Sequence, residues 1–470
     1  MSQISVSLDL LQKYNVPGPR YTSYPPATHF TEDFSASDLK PQASHEVRPA
    51  RSDGSEAATL EPSAPLSLYV HLPFCTRQCL YCGCTNIVTN DQGKSAEYLG
   101  YLDREMAMRA QHIADGSKVV QIQLGGGTPT FLLAEEIEQL GRMIRDRFPM
   151  ASTIEAGAEI DPRGLTPEKV QALRNAGFNR ASLGVQDTNP EVQTSITRIQ
   201  PLGLITEANQ RLRDSGMESI NFDLIYGLPG QSVASFSKTL EDALSLSPDR
   251  FAIYSYAHIP WIKPLQKSFE DKLPDAGMKL ELLQLTIKKL TGAGYVYIGM
   301  DHFAKPDDAM AQALARGTLQ RNFQGYSTHK GVDLHGFGMS AISHAGGRYF
   351  QNHKELSTYY SELTAGNLPV VRGYVMTEED RIRYAAIMHI MCNLYIDYER
   401  LSVEIGVDFA DHFKTEIASL GDLEADGLVR REPGGLHVTE LGRLFVRIVA
   451  MRFDAYLQKD RPESRYSRTV

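Results

Sequence analysis

Five cysteines occur in 470 residues, and four of them, Cys75, Cys79, Cys82 and Cys84, fall within ten positions. The chain advances at most about 3.6 Å per residue, so these thiols can serve only one local centre. A disulfide framework would instead spread its cysteines along a secreted chain. Two readings of the cluster stand. A single C-x3-C-x2-C-x-C loop could close on zinc, but structural zinc sites usually pair two short knuckles across a longer spacer, and no second knuckle follows. Iron–sulfur ligation fits better, because soft thiolates hold such clusters and short spacings let one loop wrap one cluster. Cys392 stands alone in the apolar run AAIMHIMCNLYI and reads as a buried small hydrophobe.

Other residues of suitable type follow at intervals. Gly125-Gly126-Gly127-Thr128-Pro129 closes a β-rich run. Its glycines permit positive φ and close approach of backbone to a ligand, although a tight strand-to-helix turn uses Gly and Pro as well. No Gly-Lys-Ser/Thr follows, so this is no P-loop, and no G-x-G-x-x-G dinucleotide fingerprint occurs there. Polar residues recur at the ends of later β-rich runs: Glu159 and Asp161, Gln186 and Asp187, and Asp223. One such carboxylate usually caps the next helix, whereas several in succession converge on one mouth and point to a shared polar ligand. Arg198 alone requires no function. Asp301-His302-Phe303 offers metal or acid–base chemistry, against the commoner structural role of a lone histidine. Tyr21, Tyr24, Tyr254 and Tyr256 read as core or interface residues.

The elements that must position these groups alternate between about 66 and 300. The β-rich runs SLYVHL, VVQIQLG, TIEAGAEI, RASLGVQ, SINFDLIYG, FAIYSYAHI and YVYIGM are separated by amphipathic segments. Leu99, Leu102, Met106 and Ile113 follow the spacing of a helix face. Repeated β-then-α units imply parallel strands with helical crossovers, in a barrel or in a doubly wound sheet, and periodicity does not separate the two. In both, functional loops follow the C-terminal ends of strands, and the cysteines directly follow the run Leu68–Leu72. Residues 1–40 open with a helical pattern and pass into GPRYTSYP (18–25), whose aromatics and arginine suit docking onto another surface. Residues 41–65, rich in Pro, Ser, Ala and Gly, read as a flexible insertion. Helical patterns dominate from about 376, so 66–350 is expected to form the catalytic domain and 351–470 a mainly helical one. Net charge is −9 from 48 Lys+Arg against 57 Asp+Glu, which gives no sign of broad nucleic-acid binding. Neither a secretory signal nor an apolar run long enough to span a membrane is seen. A cytoplasmic protein is the expectation.

Together, HLPFCTRQCLYCGC, the GGGTP turn and a later GLPGQ resemble the radical S-adenosylmethionine enzymes. Within that superfamily the chain is similar to the oxygen-independent coproporphyrinogen III oxidases. GPRYTSYP, GFNRASLGVQD, TRIQP, DLIYGLPGQ, YAHIP, GMDHFAKPDD, RNFQGYST, GMSAIS and QNHKELSTYY extend the likeness almost end to end, and only 41–65 is unmatched. The resemblance implies a partial (β/α)6 barrel, an N-terminal segment covering the active site and a helical C-terminal domain over the open mouth. It implies a [4Fe-4S] cluster on Cys75, Cys79 and Cys82, with Cys84 in the motif but not a ligand, and a fourth iron open to S-adenosylmethionine. Tyr69, Gly126 and Glu159 would contact that molecule. A second S-adenosylmethionine would meet Tyr81, Gly127, Thr128, Gln186, Arg198, Asp223, Ala257 and Ile342. Acidic residues suit ribose hydroxyls and the sulfonium, and Arg198 suits a carboxylate. Tyr81, Thr85 and Thr197 stand where the family often has Phe, Asn and Asn.

The implied reaction belongs to haem biosynthesis. A 5′-deoxyadenosyl radical would take a β-hydrogen from a propionate, which then loses carbon dioxide and an electron to leave a vinyl group. Two rounds convert coproporphyrinogen III to protoporphyrinogen IX. Arg20 and Arg321 are candidates for holding the anionic substrate. A small electron-donor protein such as flavodoxin or ferredoxin and a monomeric state are expected. The alternatives are a haem-binding, chaperone-like relative, a radical enzyme for another tetrapyrrole, and a zinc-stabilised binding module. GPRYTSYP and Cys84 argue against the first.

Overall fold

The structure is a computed structural model and describes residues 6–34, 36–39, 64–459 and 466. Of the insertion expected over 41–65, all but Ala64 and Pro65 lies outside the described residues.

Six of the β-rich runs become consecutive parallel strands: β1 (Leu66–Leu72), β2 (Val119–Gly126), β3 (Met150–Ile160), β4 (Arg180–Gln186), β5 (Ser219–Tyr226) and β6 (Arg250–Ser255). Each pairs with the next in sequence. The crossovers carry α1 (Gly93–Ala110), α2 (Ala134–Arg147), α3 (Pro167–Asn175), α4 (Leu202–Asp214) and α5 (Val233–Ser245), and α6 (Ala276–Gly292) follows β6. Near-continuous apolar strands suit a sheet covered by helices. On α1 the inner face is Tyr98, Leu99, Leu102 and Met106, while Ile113 lies beyond the helix end and packs at the core margin. Three of these helices, α3, α5 and α6, start at side-chain caps. Thr166 Oγ1 accepts from Lys169 N at 3.4 Å, and Ser232 Oγ from Ser235 N at 3.1 Å; such caps contribute about 1 kcal/mol each.

The sheet extends beyond these six strands at both edges. The run YVYIGM supplies β7 (Val296–Gly299), which pairs antiparallel with β8 (His302–Ala304), itself antiparallel to β6. It is therefore an edge strand rather than another βα repeat. At the other edge β9 (Asp333–Phe337) lies parallel to β1, followed by antiparallel β10 (Ile342–Ala345), β11 (Arg348–Asn352) and β12 (Val370–Val375). The full order is β12-β11-β10-β9-β1-β2-β3-β4-β5-β6-β8-β7, an open, partial barrel. The boundary expected at 351 falls inside β11, and β12 still belongs to the sheet. The helical part starts with α7 (Glu378–Met388), capped by Thr377 Oγ1 at 3.1 Å from Asp380 N.

Two cores result. The larger fills the space between strands and crossover helices. The second joins the C-terminal helices, Cys392 among them at 1% exposure, to Val6, Leu11, Tyr14, Tyr21 and Tyr24 of the N-terminal segment. After a short helix (Leu8–Tyr14) this segment runs as a strap. Tyr21 OH donates to Asp454 at 2.9 Å, Ala455 N to Tyr24 OH at 3.0 Å, and Arg447 Nε to the Pro19 carbonyl at 3.0 Å. Thr31 then bridges Gly373 on β12. No helix among the described residues is long and apolar enough to cross a membrane.

Candidate active site

The C-terminal ends of β1 to β5 open into a cavity of about 1200 Å³. The cysteine loop leaves β1 and forms one of its walls. Phe74 and Cys75 pair in parallel with Ile87 and Val88, and the Cys82 amide donates to the Cys79 carbonyl at 3.2 Å. Cys75, Cys79, Cys82 and Cys84 all line the cavity, and none is in a disulfide. The Cys75 sulfur is 3.4 Å from Thr128 Oγ1 and 3.9 Å from Asn86 Nδ2. Two guanidinium groups reach the Cys79 sulfur, Arg163 Nη2 and Arg198 Nη1, each at 3.5 Å. The Cys82 thiol is pulled down to about 6, first by its hydrogen bond with Cys84 and further by Lys263 and Arg198, against the opposing effect of burial.

The glycine run lies against this loop and has no room for side chains. A Cβ on Gly127 would come within 2.5 Å of the Pro73 carbonyl oxygen. Gly126 has φ +118, and a Cβ there would meet the His71 ring and the Leu72 carbonyl at 2.9 Å. The run is also tied down by Gly127 N to Leu72 O at 2.8 Å and Thr128 N to Phe74 O at 2.9 Å.

Opposite the loop stand the carboxylates. Glu159, at the end of β3, accepts from Gly126 N at 3.3 Å. Burial, then the neighbouring Asp223, pushes its carboxyl up to about 8. Asp223 accepts from Ser182 Oγ at 2.7 Å and Asn221 Nδ2 at 2.8 Å, and burial raises it to about 6. Two acids held partly protonated near neutrality form a site ready to ionise against a cation. Asp161 behaves in the opposite way. Burial opposes its ionisation, yet Arg163 at 2.6 Å and Arg198 at 3.2 Å hold it below the usual range. Arg198 also donates to the Gly184 carbonyl at 2.8 Å and Gln200 Oε1 at 3.1 Å. Gln186 adopts φ 65 and Thr197 φ 54, left-handed conformations that cost non-glycine residues of order 1–3 kcal/mol each. The strain sits where β4 ends beside the cavity and where the chain turns into Arg198.

Of the residues expected at the site, Tyr69, Tyr81, Gly126, Gly127, Thr128, Glu159, Gln186, Arg198, Asp223 and Ile342 line this one cavity with the cysteines. Ala257 does not; it is exposed, two residues past β6. Asp187 is a structural residue. Fully buried, it accepts from Asn189 N and Thr239 Oγ1 at 2.7 Å and from Gln231 Nε2 at 2.6 Å, fastening the loop after β4 to α5. Tyr21, Tyr24 and Tyr256 belong to cores, whereas Tyr254 lines the cavity edge-on to His302. His302 is held neutral, pushed down by burial to about 3, and its Nδ1 has no hydrogen-bond partner. Asp301 beside it pairs with Arg20 of the strap. Several lining residues were not anticipated, among them Arg163, Lys169, Arg180, Arg250 and His71. His71 sits between the Tyr69 hydroxyl (3.1 Å from Nδ1) and the Thr85 carbonyl (2.9 Å from Nε2), and burial lowers it to about 4. Its place in HLPF, at the strand end before the first cysteine, was the available signal.

A parallel (β/α)6 sheet with a C-x3-C-x2-C loop at the mouth of a polar cavity defines a radical S-adenosylmethionine protein. Residues 69–243 match the model of the Radical SAM superfamily, and 376–445 that of the HemN C-terminal domain. The chain is 42% identical to the oxygen-independent coproporphyrinogen III oxidase of Synechocystis, over 99% of this chain and 98% of that one. It is 42% identical to the Escherichia coli enzyme of the same name over the whole of both. The solved structure of Escherichia coli coproporphyrinogen III oxidase (HemN), described as a radical SAM enzyme, superposes with a TM-score of 0.89 at 41% identity, covering 97% of this chain and all of that one. This chain belongs to the family of oxygen-independent coproporphyrinogen III oxidases.

Proposed function

We propose that the chain removes carbon dioxide oxidatively from two propionates of coproporphyrinogen III without oxygen, giving protoporphyrinogen IX in haem biosynthesis. The observation that carries this reading is the single cavity in which three thiols, a glycine-lined wall and two raised carboxyls face one another. The donor set fits the cofactors of the superfamily, a [4Fe-4S] cluster and S-adenosylmethionine. Cys75, Cys79 and Cys82 are free thiols on one loop, and the guanidinium groups beside Cys79 offset the negative charge of thiolate ligands. When bound, these cofactors supply the one-electron chemistry that takes hydrogen from an unactivated carbon.

The chain's own residues bind, orient and exclude water. Glu159 offers a carboxylate to cationic or hydroxyl groups of one S-adenosylmethionine, and Tyr69, with the glycine wall at Gly126, borders the same molecule. Tyr81, Gly127, Thr128, Gln186, Arg198, Asp223 and Ile342 are assigned to a second one, as is Ala257 although it lies outside the cavity lining. Arg198 is already turned onto Asp161, so a ligand carboxylate meets it through the remaining Nη2 hydrogen or displaces Asp161. The strap supports the covering role of the N-terminal segment, and Arg20 and Arg321 are assigned to substrate propionates although neither lines the cavity: Arg20 pairs with Asp301, and Arg321 Nε donates to the Arg20 carbonyl at 3.0 Å. Arg321 Nη1 is buried without a partner, a donor still free for an anion. The enzyme is assigned to the cytoplasm as a monomer, reduced by a flavodoxin or ferredoxin. The test is an anaerobic assay of the reconstituted protein with S-adenosylmethionine, reductant and coproporphyrinogen III, read by mass spectrometry. Loss of two carboxyl groups that depends on Cys75, Cys79 and Cys82 is expected. Cleavage of S-adenosylmethionine with intact porphyrin would overturn the substrate.

A further inference from the structure

The outer face of the cysteine loop is where the surface departs from ordinary soluble chemistry. Among the described residues eight large hydrophobic side chains are exposed, and five of them border this loop: Val88, Ile199, Trp261, Ile262 and Leu265. Val88 pairs with Cys75 in the short ladder. Ile199 follows Arg198, whose guanidinium touches the Cys79 sulfur, and, like Arg77, lies at the rim where this face meets the cavity. Trp261, Ile262 and Leu265 occupy the turn after β6, which is tied to the loop by Lys263 Nζ to the Cys84 carbonyl at 2.5 Å and Gln266 Nε2 to the Tyr81 carbonyl at 3.0 Å. Trp261 is the sole tryptophan of the chain and is 63% exposed. An exposed apolar cluster with a tryptophan at its centre is the composition of a protein-binding surface.

Charge selects the partner. The chain carries −9 overall, which repels an acidic protein at long range. Around the apolar turn, however, Arg77 and Lys267 are exposed with no ion pair among the described residues, and Lys263 caps a carbonyl rather than a carboxylate. The same turn carries the exposed acids Glu270, 3.4 Å from His258, and Asp271, beside the exposed Lys272, so cations outnumber acids around the apolar residues. Local cations on an acidic protein orient an acidic partner onto one face. The loop beneath this face holds the metal-binding thiols and exposes Thr76, Arg77, Gly83 and Cys84.

We propose that Trp261, Ile262 and Leu265, with Arg77, Lys263 and Lys267 around them, form the docking surface for a small acidic one-electron carrier protein. The carrier gives up one electron to the cluster on the loop below and is itself oxidised by one electron; no bond is made or broken. The inference rests on the radical S-adenosylmethionine reading of the site and adds to it where the electron enters.

The test uses the full chain with its cluster reconstituted, and oxidised flavodoxin and a [4Fe-4S] ferredoxin as the two carriers. Dissociation constants are measured by calorimetry for the wild type and for Trp261→Glu, Ile262→Glu and Lys267→Glu. Trp261 emission provides a second binding signal in the wild type, with Trp261→Phe as the blank. Binding of at least one carrier that weakens with salt is expected. It should weaken tenfold or more in Trp261→Glu or Ile262→Glu, while dithionite still reduces the cluster at the wild-type rate. Wild-type affinity in all variants, no binding of either carrier to the wild type, or equally slowed reduction by dithionite would each overturn the proposal. Carrier binding without attack on coproporphyrinogen III would leave this surface standing and remove the substrate reading instead.

Discussion

Glu159 and Asp223 set how the cavity responds to pH. Free of ligand, Glu159 titrates near 8 and Asp223 near 6, so between those values the pair carries one proton and a cationic ligand must expel it. The affinity for S-adenosylmethionine should therefore rise between pH 6 and 8 and level off above, by up to about tenfold per unit. Proton release should appear as buffer-dependent binding enthalpy in calorimetry, and Glu159→Gln should remove the upper part of the slope. An affinity flat from pH 6 to 8 would show that neither acid meets the cation. At this scale the sequence was informative where residues share a motif. The four clustered cysteines, Gly126 and Gly127, and the strand-end acids Glu159, Asp161 and Asp223 line one cavity, whereas Asp187 is buried away from it. His71 was missed because its role depends on a tyrosine two positions away and a carbonyl fourteen positions on. Ala257 was carried over on YAHIP alone, and the chain leaves β6 before the cavity reaches it.

Elements hold these residues by close backbone approach, and glycine substitutions test that directly. Gly127→Ala places a methyl group 2.5 Å from a backbone oxygen that cannot rotate away. We expect a loss of about 1–3 kcal/mol in thermal or chemical denaturation, together with reduced iron and sulfide content. Gly100→Ala is the contrast. It lies inside α1 with nothing near its Cβ, so it should stabilise by roughly 0.5–1 kcal/mol. Equal effects at the two positions would refute this packing argument. The parallel strands were legible because each is an apolar run followed by an amphipathic one. Barrel and doubly wound sheet share that alternation, so their distinction lies in pairing. The pairing of β1 with β9 joins Leu66 to Asp333, a separation no local pattern encodes. For the same reason β7 looked like another repeat although it is an antiparallel edge.

The whole molecule is held together by contacts between segments far apart in sequence. Tyr21 and Asp454 exchange a buried hydrogen bond, so Tyr21→Phe and Asp454→Asn should be strongly non-additive. A double-mutant cycle in denaturation should give a coupling of about 0.5–3 kcal/mol, and additivity would mean that the strap is held elsewhere. The aromatic and arginine content of GPRYTSYP suited docking, but its receiving surface, residues 443–456, read only as part of a mainly helical C-terminal region. Burial of Tyr21 and Tyr24 in the second core follows from two patterns that become complementary only after folding.

That separation also has a consequence for how the chain is made. Tyr21 emerges from the ribosome 433 residues before the carboxylate that will receive it. Within that interval β1 to β6 are completed in order, and the strap gains Asp301 for Arg20 and Gly373 for Thr31 before Asp454 is made. The strands that line the cavity are thus all synthesised before Asp454 and Ala455 fasten Tyr21 and Tyr24. The order of synthesis completes the framework of the site before the last ties of the strap can form.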